Sequence, residues 1–175
     1  MAKKILIGVV AVIVLFVLVG FLLPGNVHVE RSVVVSASPS AVFPHLCDFQ
    51  ATQKWSPWAK RDENIQNEYT GTPCTVGHKN TWKSEKPDVG NGSQTIAAIE
   101  QDKKVETTLD FGEHGTANAQ LILVPEGDGT KVTWGFDSDM GMNPIGRWMG
   151  LMMDKWIGPD YEEGLASLKA QVEKS

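Results

Sequence analysis

Patterns that carry catalysis are scarce in this chain. It holds only two cysteines and four histidines, with no CxxC pair and no Cys/His grouping at metal-ligand spacing. His28, His45, His78 and His114 are scattered, and no GxSxG elbow, HExxH helix or phosphate-spaced glycine loop is present. Asp110, Glu113 and His114 are neighbours, but they fall in a predicted turn, where charged residues are common. No catalytic residue, metal or cofactor is therefore expected. Basic charge is also short. Once Lys3 and Lys4 are set aside, 14 Lys and Arg face 21 Asp and Glu, a balance of −7. That excludes the basic footprint nucleic acid requires and a polybasic grip on anionic lipid. Cys47 and Cys74 read most simply as two small buried hydrophobes, a disulfide between them being the alternative if the domain is exported.

What the chain does have is one long uncharged apolar run, Ile5 to Leu23, directly behind Lys3 and Lys4. As a helix it spans roughly 28 Å, close to the hydrocarbon core of a bilayer. A cleaved secretory signal has a shorter apolar region and ends in small residues, whereas this run ends Val19-Gly20-Phe21-Leu22-Leu23-Pro24. Neither cysteine lies near it to accept a lipid. An uncleaved single-pass anchor is expected, with the amino end cytoplasmic because Lys3 and Lys4 are retained there. Residues 1–25 are then anchor and linker, and residues 26–175 form one domain on the outer side of the cytoplasmic membrane. Pro24-Gly25-Asn26 reaches only about 10 Å, so that domain is held against the membrane surface.

Within the domain, Val27, Val29, Val33 and Val35 alternate as a strand. Ser38-Pro39 opens a short helix expected to run to about Cys47, with Pro39 in its first turn. From Ile65 to Asp139, short strands are separated by turn signals at Gly71-Thr72-Pro73, Gly90-Asn91-Gly92, Gln101-Asp102, Glu113-His114-Gly115 and Gly127-Asp128-Gly129. One parity in these strands is apolar: Val105, Leu109, Phe111; Ala117, Ala119, Leu121, Leu123; Val132, Trp134, Phe136. An antiparallel sheet with one buried face follows. Ile145, Trp148, Met149, Met152 and Trp156, then Tyr161, Leu165, Leu168 and Val172, recur at helical spacing. Gly158-Pro159 is expected to kink or break that helix. The order is α+β.

The sequence resembles the START-like, or SRPBCC, superfamily, and within it the polyketide cyclase/dehydrase-like proteins, over Val27 to about Glu173. The resemblance rests on the first strand running into Ala37-Ser38-Pro39-Ser40-Ala41-Val42-Phe43, on Trp55-Ser56-Pro57-Trp58, on Thr130-Lys131-Val132-Thr133-Trp134, and on the stretch from Gly158-Pro159 to Leu168-Lys169. It implies a helix-grip fold, a curved antiparallel sheet wrapped around a long C-terminal helix with an apolar cavity between them. It also implies a hydrophobic small molecule or lipid as ligand, and catalysis in a minority of members.

Candidate cavity residues follow from composition and parity. Met140, Met142, Met149, Met152 and Met153 crowd one stretch with Trp148 and Trp156, suiting either ordinary core or a wall adaptable to varied apolar shapes. His78, Asn80 and Trp82 share a parity, offering two polar groups to a ligand, although His78 also reads as a solvated turn residue. Trp55 and Trp58 suit a pocket mouth, a headgroup-level lip or a packed loop. The expected lining is Trp55, Trp58, His78, Asn80, Trp82, Phe111, Trp134, Met149, Met153 and Trp156. Three functions remain open: a binder of an apolar molecule, a cyclase- or hydrolase-type enzyme using His78 or another buried polar group, and an envelope scaffold whose cavity is filled. No protein partner is indicated.

Overall fold

The computed structural model describes residues 1–174. Its first helix, α1 (Ala2–Leu22), is unbroken, and Gly20 is its one buried residue. Leu23, Pro24 and Gly25 lead straight into β1 (Asn26–Val35), which buries Val27, Val29 and Val35. Where a single helix to Cys47 was expected, two turns form, α2 (Pro39–Val42) and α3 (Pro44–Cys47). Pro44 has no N–H to continue the α2 ladder, yet it is well suited to start a new turn. Two more short helices follow, α4 (Phe49–Thr52) and α5 (Pro57–Arg61), the second capped by Ser56.

The remaining strands are β2 (Gln66–Thr70), β3 (Lys79–Lys83), β4 (Gly92–Glu100), β5 (Lys104–Asp110), β6 (Thr116–Glu126) and β7 (Gly129–Asp139). They join β1 in one antiparallel sheet of order β1-β7-β6-β5-β4-β3-β2. Every expected turn falls at a strand boundary. The inner face carries Val105, Ala117, Ala119, Leu121, Leu123, Val132, Trp134 and Phe136, all buried, as their common parity requires.

Two helices close the chain, α6 (Pro144–Gly150) and α7 (Met153–Val172). The interruption lies at Leu151–Met152, and α7 runs on through Pro159. Pro159 and Lys155, whose carbonyl loses its partner, are both on the exposed side, so water can satisfy that oxygen. The opposite side of α7 buries Tyr161, Leu165, Leu168 and Val172 in the grip of the sheet. Burial of Leu165 and Leu168 contributes about 1.5–3 kcal/mol each. Arg31, the one charged member of the inner parity of β1, donates to Asp154 and Glu162 of α7 at 2.8 and 2.7 Å. This is a helix-grip α+β fold.

Cys47 and Cys74 form a disulfide, in place of the two free thiols that composition favoured. The loop after β2 folds back so that the Cys74 amide donates to the Cys47 carbonyl at 3.3 Å, and their Cα atoms lie 4.6 Å apart. That is within disulfide reach. The bridge fastens the β2–β3 loop to α3.

Candidate functional site

A cavity of about 340 Å³ lies between the inner face of the sheet, the short helices α3 to α5, and the first half of α7. Its size falls in the range of roughly 300–1,000 Å³ typical of small-molecule sites. One wall is aromatic. Trp134 of β7 stacks on Tyr161 of α7 with centroids 3.9 Å apart, and Trp55 and Trp58 meet Trp134 edge-on at 5.2 and 5.9 Å. Trp55 is fully buried and its indole N–H donates to the His45 carbonyl at 2.9 Å, so its polar edge is satisfied. Burial also pushes the Tyr161 hydroxyl pKa up, which keeps it a neutral donor.

The opposite end is mixed. Trp82 and Phe111 meet edge-on at 6.1 Å, and the Trp82 ring lies over Gly92, its cross-strand partner. A Cβ at Gly92 would come within 2.6 Å of that ring, so only glycine admits it there. Beside them stand Asn67, Asn80, Gln94 and Thr107. Register brings them together: Asn80 pairs with Gln94 across β3–β4, and Asn67 sits opposite Trp82 across β2–β3. The Asn80 side-chain amide donates to Asn67 Oδ1 at 3.1 Å, while Asn80 Oδ1, buried at the cavity wall, has no partner. Leaving such an atom unsatisfied costs about 1–3 kcal/mol.

At the rim, Arg61 forms a bidentate pair with Asp160, joining α5 to α7, and Asp160 raises the guanidinium pKa through those hydrogen bonds. Ser84 donates to Asp62 at 2.5 Å and, with the Asn64 amide, holds that carboxyl below its ordinary range. These contacts tie the β3–β4 loop, including the rim residues Asp88 and Val89, to α5. Trp156 completes the rim from α7 while remaining 49 % exposed.

Of the ten residues the sequence nominates, Trp55, Trp58, Asn80, Trp82, Phe111, Trp134 and Trp156 line the cavity. Three do not. His78 is buried but turned away: its Nε2 accepts from the Phe49 amide at 3.3 Å, its Nδ1 faces the Thr70 carbonyl at 3.1 Å, and its ring stacks on Phe49. It immediately precedes β3 and keeps the buried parity of Asn80, with the Ile96 amide donating to its carbonyl at 2.9 Å, but at that end of the strand its ring meets Phe49 and not the cavity. Met149 is exposed on α6, because the elbow at Leu151–Met152 separates α6 from the helix that bounds the cavity. Met153 packs against the core, off the cavity wall. The sequence reading also missed Asn67, Gln94, Thr107 and Tyr161. Tyr161 stood on the apolar stripe of the last helix; the three polar residues gave no signal without the strand register.

The sequence profile of the family described as polyketide cyclase / dehydrase and lipid transport matches residues 26–173. No curated protein matches the chain at a significant level. Many solved structures are similar. A solution structure from Thermobifida fusca is 19% identical with a TM-score of 0.65, the match covering 84% of this chain and 93% of that one. Ara h 8.0201 is 14% identical with a TM-score of 0.63, over 86% of this chain and 100% of its own. Protein CV1439 of Chromobacterium violaceum is 18% identical with a TM-score of 0.59, over 86% of this chain and 99% of that one. At these identities the likeness is one of fold.

Proposed function

From the premise that this chain belongs to the polyketide cyclase / dehydrase and lipid transport family, we propose that it binds an amphipathic, lipid-like molecule in the cavity of a membrane-anchored domain. The observation that carries this reading is the unpartnered Asn80 Oδ1 at the polar end of a cavity whose other end is tryptophan. A ligand with an apolar body and a hydroxyl or amide N–H would desolvate against Trp55, Trp58, Trp134 and Trp82 and donate to Asn80. The family's description includes lipid transport, which agrees with that chemistry.

Residues 5–23 supply the membrane attachment, and residues 26–175 the binding domain. Lys3 and Lys4 on one flank favour an outer location for the domain. The Cys47–Cys74 disulfide supports the same side, since such bonds persist in oxidising compartments. Catalysis through His78 loses its basis, because both ring nitrogens are taken up by backbone groups away from the cavity. A filled scaffold is disfavoured by the cavity volume.

The test is equilibrium binding of a fluorescent fatty alcohol to the full chain in detergent. Ala119→Phe places a ring in the cavity and should weaken binding by at least tenfold, a loss of about 1.4 kcal/mol. Asn80→Leu should weaken binding of the alcohol but not of the matching alkane probe. Equal affinities in all three proteins, with circular dichroism unchanged, would sink the reading.

A further inference from the structure

α6 is held against the anchor by contacts that fix its height. The Trp148 indole donates to the Phe16 carbonyl at 3.1 Å, and its ring stacks on Phe16 with centroids 4.9 Å apart. The Arg147 guanidinium donates to the carbonyls of Phe21 and Leu23 at 2.7 and 3.0 Å, caps the end of α1, and also reaches the Gly141 carbonyl at 2.8 Å. Gly20 permits this closeness, since a Cβ there would stand 2.7 Å from Pro144. Phe16 lies six residues, or about 9 Å, before the end of α1. A helix of the length of α1 only just crosses a hydrocarbon core of about 30 Å. Trp148, beside Phe16, is thus below the level at which the hydrocarbon ends, and α6 cannot stand clear of lipid while the anchor spans.

The exposed residues of this segment are mostly apolar, with Asp154 and Lys155 the charged exceptions. Met142, Ile145, Met149, Leu151, Met152 and Trp156 are all exposed, in one stretch of chain. Such a concentration on a protein surface marks an interaction site. Trp156 belongs to both this surface and the cavity rim.

We propose that α6 and the α6–α7 elbow are embedded in the outer-leaflet interface as a second membrane contact, and that the cavity opens at Trp156 onto the lipid. The occupant of the face is the bilayer itself, because α6 continues the surface of the anchor at the same depth. The acidic balance of the domain makes zwitterionic lipid the fitting surface. A ligand then passes from leaflet to cavity along Met152 and Trp156 without crossing bulk water. This rests on the anchor spanning the membrane, and it stands or falls separately from ligand binding.

The experiment uses the full chain in phosphatidylcholine nanodiscs holding one copy each, with Met149→Cys or Val124→Cys labelled by an environment-sensitive nitrobenzoxadiazole. The native cysteines are paired and do not label. Val124 is an exposed apolar residue of β6 and serves as the control. Nitroxide groups on the lipid chains should quench the label at Met149 about threefold more than at Val124, as for an interfacial helix. Gly20→Leu, which forces α6 from the anchor, should bring the two closer. Equal quenching at both positions overturns the proposal, as does shielding of Met149 that appears only when each disc holds two copies. Probe binding by the labelled protein, measured in parallel, reports ligand binding independently.

Discussion

In the proposed reading Asn80 defines what a ligand must bring, and the surrounding residues show why it was only partly readable. Its parity with Trp82 was visible in the strand sequence, but its role depends on Asn67 and Gln94, which arrive from β2 and β4 through pairing. Alternation within one strand reports which face a residue takes; it does not report which residue lies opposite. His78 misled for a related reason: it shares the buried parity of Asn80, but at that end of the strand its ring nitrogens meet the Phe49 amide and the Thr70 carbonyl. Two other histidines give a pH prediction. His28 faces Asp137 at 2.7 Å, and that hydrogen bond raises its pKa above 6.5. Burial, with Lys54 nearby, lowers that of His45, whose Nδ1 accepts from the Gln171 amide at 3.2 Å. The raised His28 therefore stabilises the fold below pH 6.5, and this contribution fades as pH rises through its folded pKa. The lowered His45 acts oppositely: its stabilising neutral form is present above pH 6.5 and is lost as pH falls through its folded pKa. Ring-proton NMR titration should place the His45 midpoint below 6.5 and that of His28 above it; the reverse order contradicts the assigned partners. The effect of His28 on stability should be small, because its pair is exposed and screened.

Among the elements, strands and their turns were legible because glycine- and proline-bearing turns punctuate a period of two. Helix punctuation was less so. Gly158-Pro159 promised a break, but Pro159 falls on the wet side of α7, where a lost hydrogen bond can be replaced by water; the real elbow at Leu151–Met152 follows Gly150, a lone glycine inside an apolar helical pattern and a weaker signal than Gly-Pro. That shift is what moved Met149 from the cavity to the exposed side of α6. The disulfide was not legible either, because the 27-residue separation of its cysteines says nothing about their distance in space. Its energetic role is testable. Closing a loop of that length removes chain entropy worth about 3.5 kcal/mol in the unfolded state. Cys47→Ser with Cys74→Ser should lower stability to chemical denaturation by roughly 2–4 kcal/mol and loosen the β2–β3 loop that leads into β3 and Asn80. An unchanged denaturation midpoint would show that the bridge carries no stabilising role.

At the scale of the whole molecule, the fold divides the work by position. The sheet and α7 form the grip, the short helices α3 to α5 close one side, and α6 packs against α1. The charge balance of −7 outside the anchor coexists with an exposed stretch from Met142 to Trp156 that is mostly apolar and carries Asp154 and Lys155 as exposed charges. The sequence alone suggested a cavity close to lipid through its short linker; the contacts of Trp148 and Arg147 with α1 add the orientation proposed above, in which the rim would face the bilayer. The most direct measurement replaces Phe111, on the cavity wall, with a photo-crosslinking phenylalanine analogue in the full chain and irradiates intact membranes. Mass spectrometry of the protein should then find a covalent adduct of a lipid-like molecule bearing a hydroxyl or amide, lost when Ala119→Phe is added and absent when the analogue stands at Thr108 on the outer face of β5. No adduct at Phe111, or the same adduct at Thr108, would contradict a ligand held in the cavity.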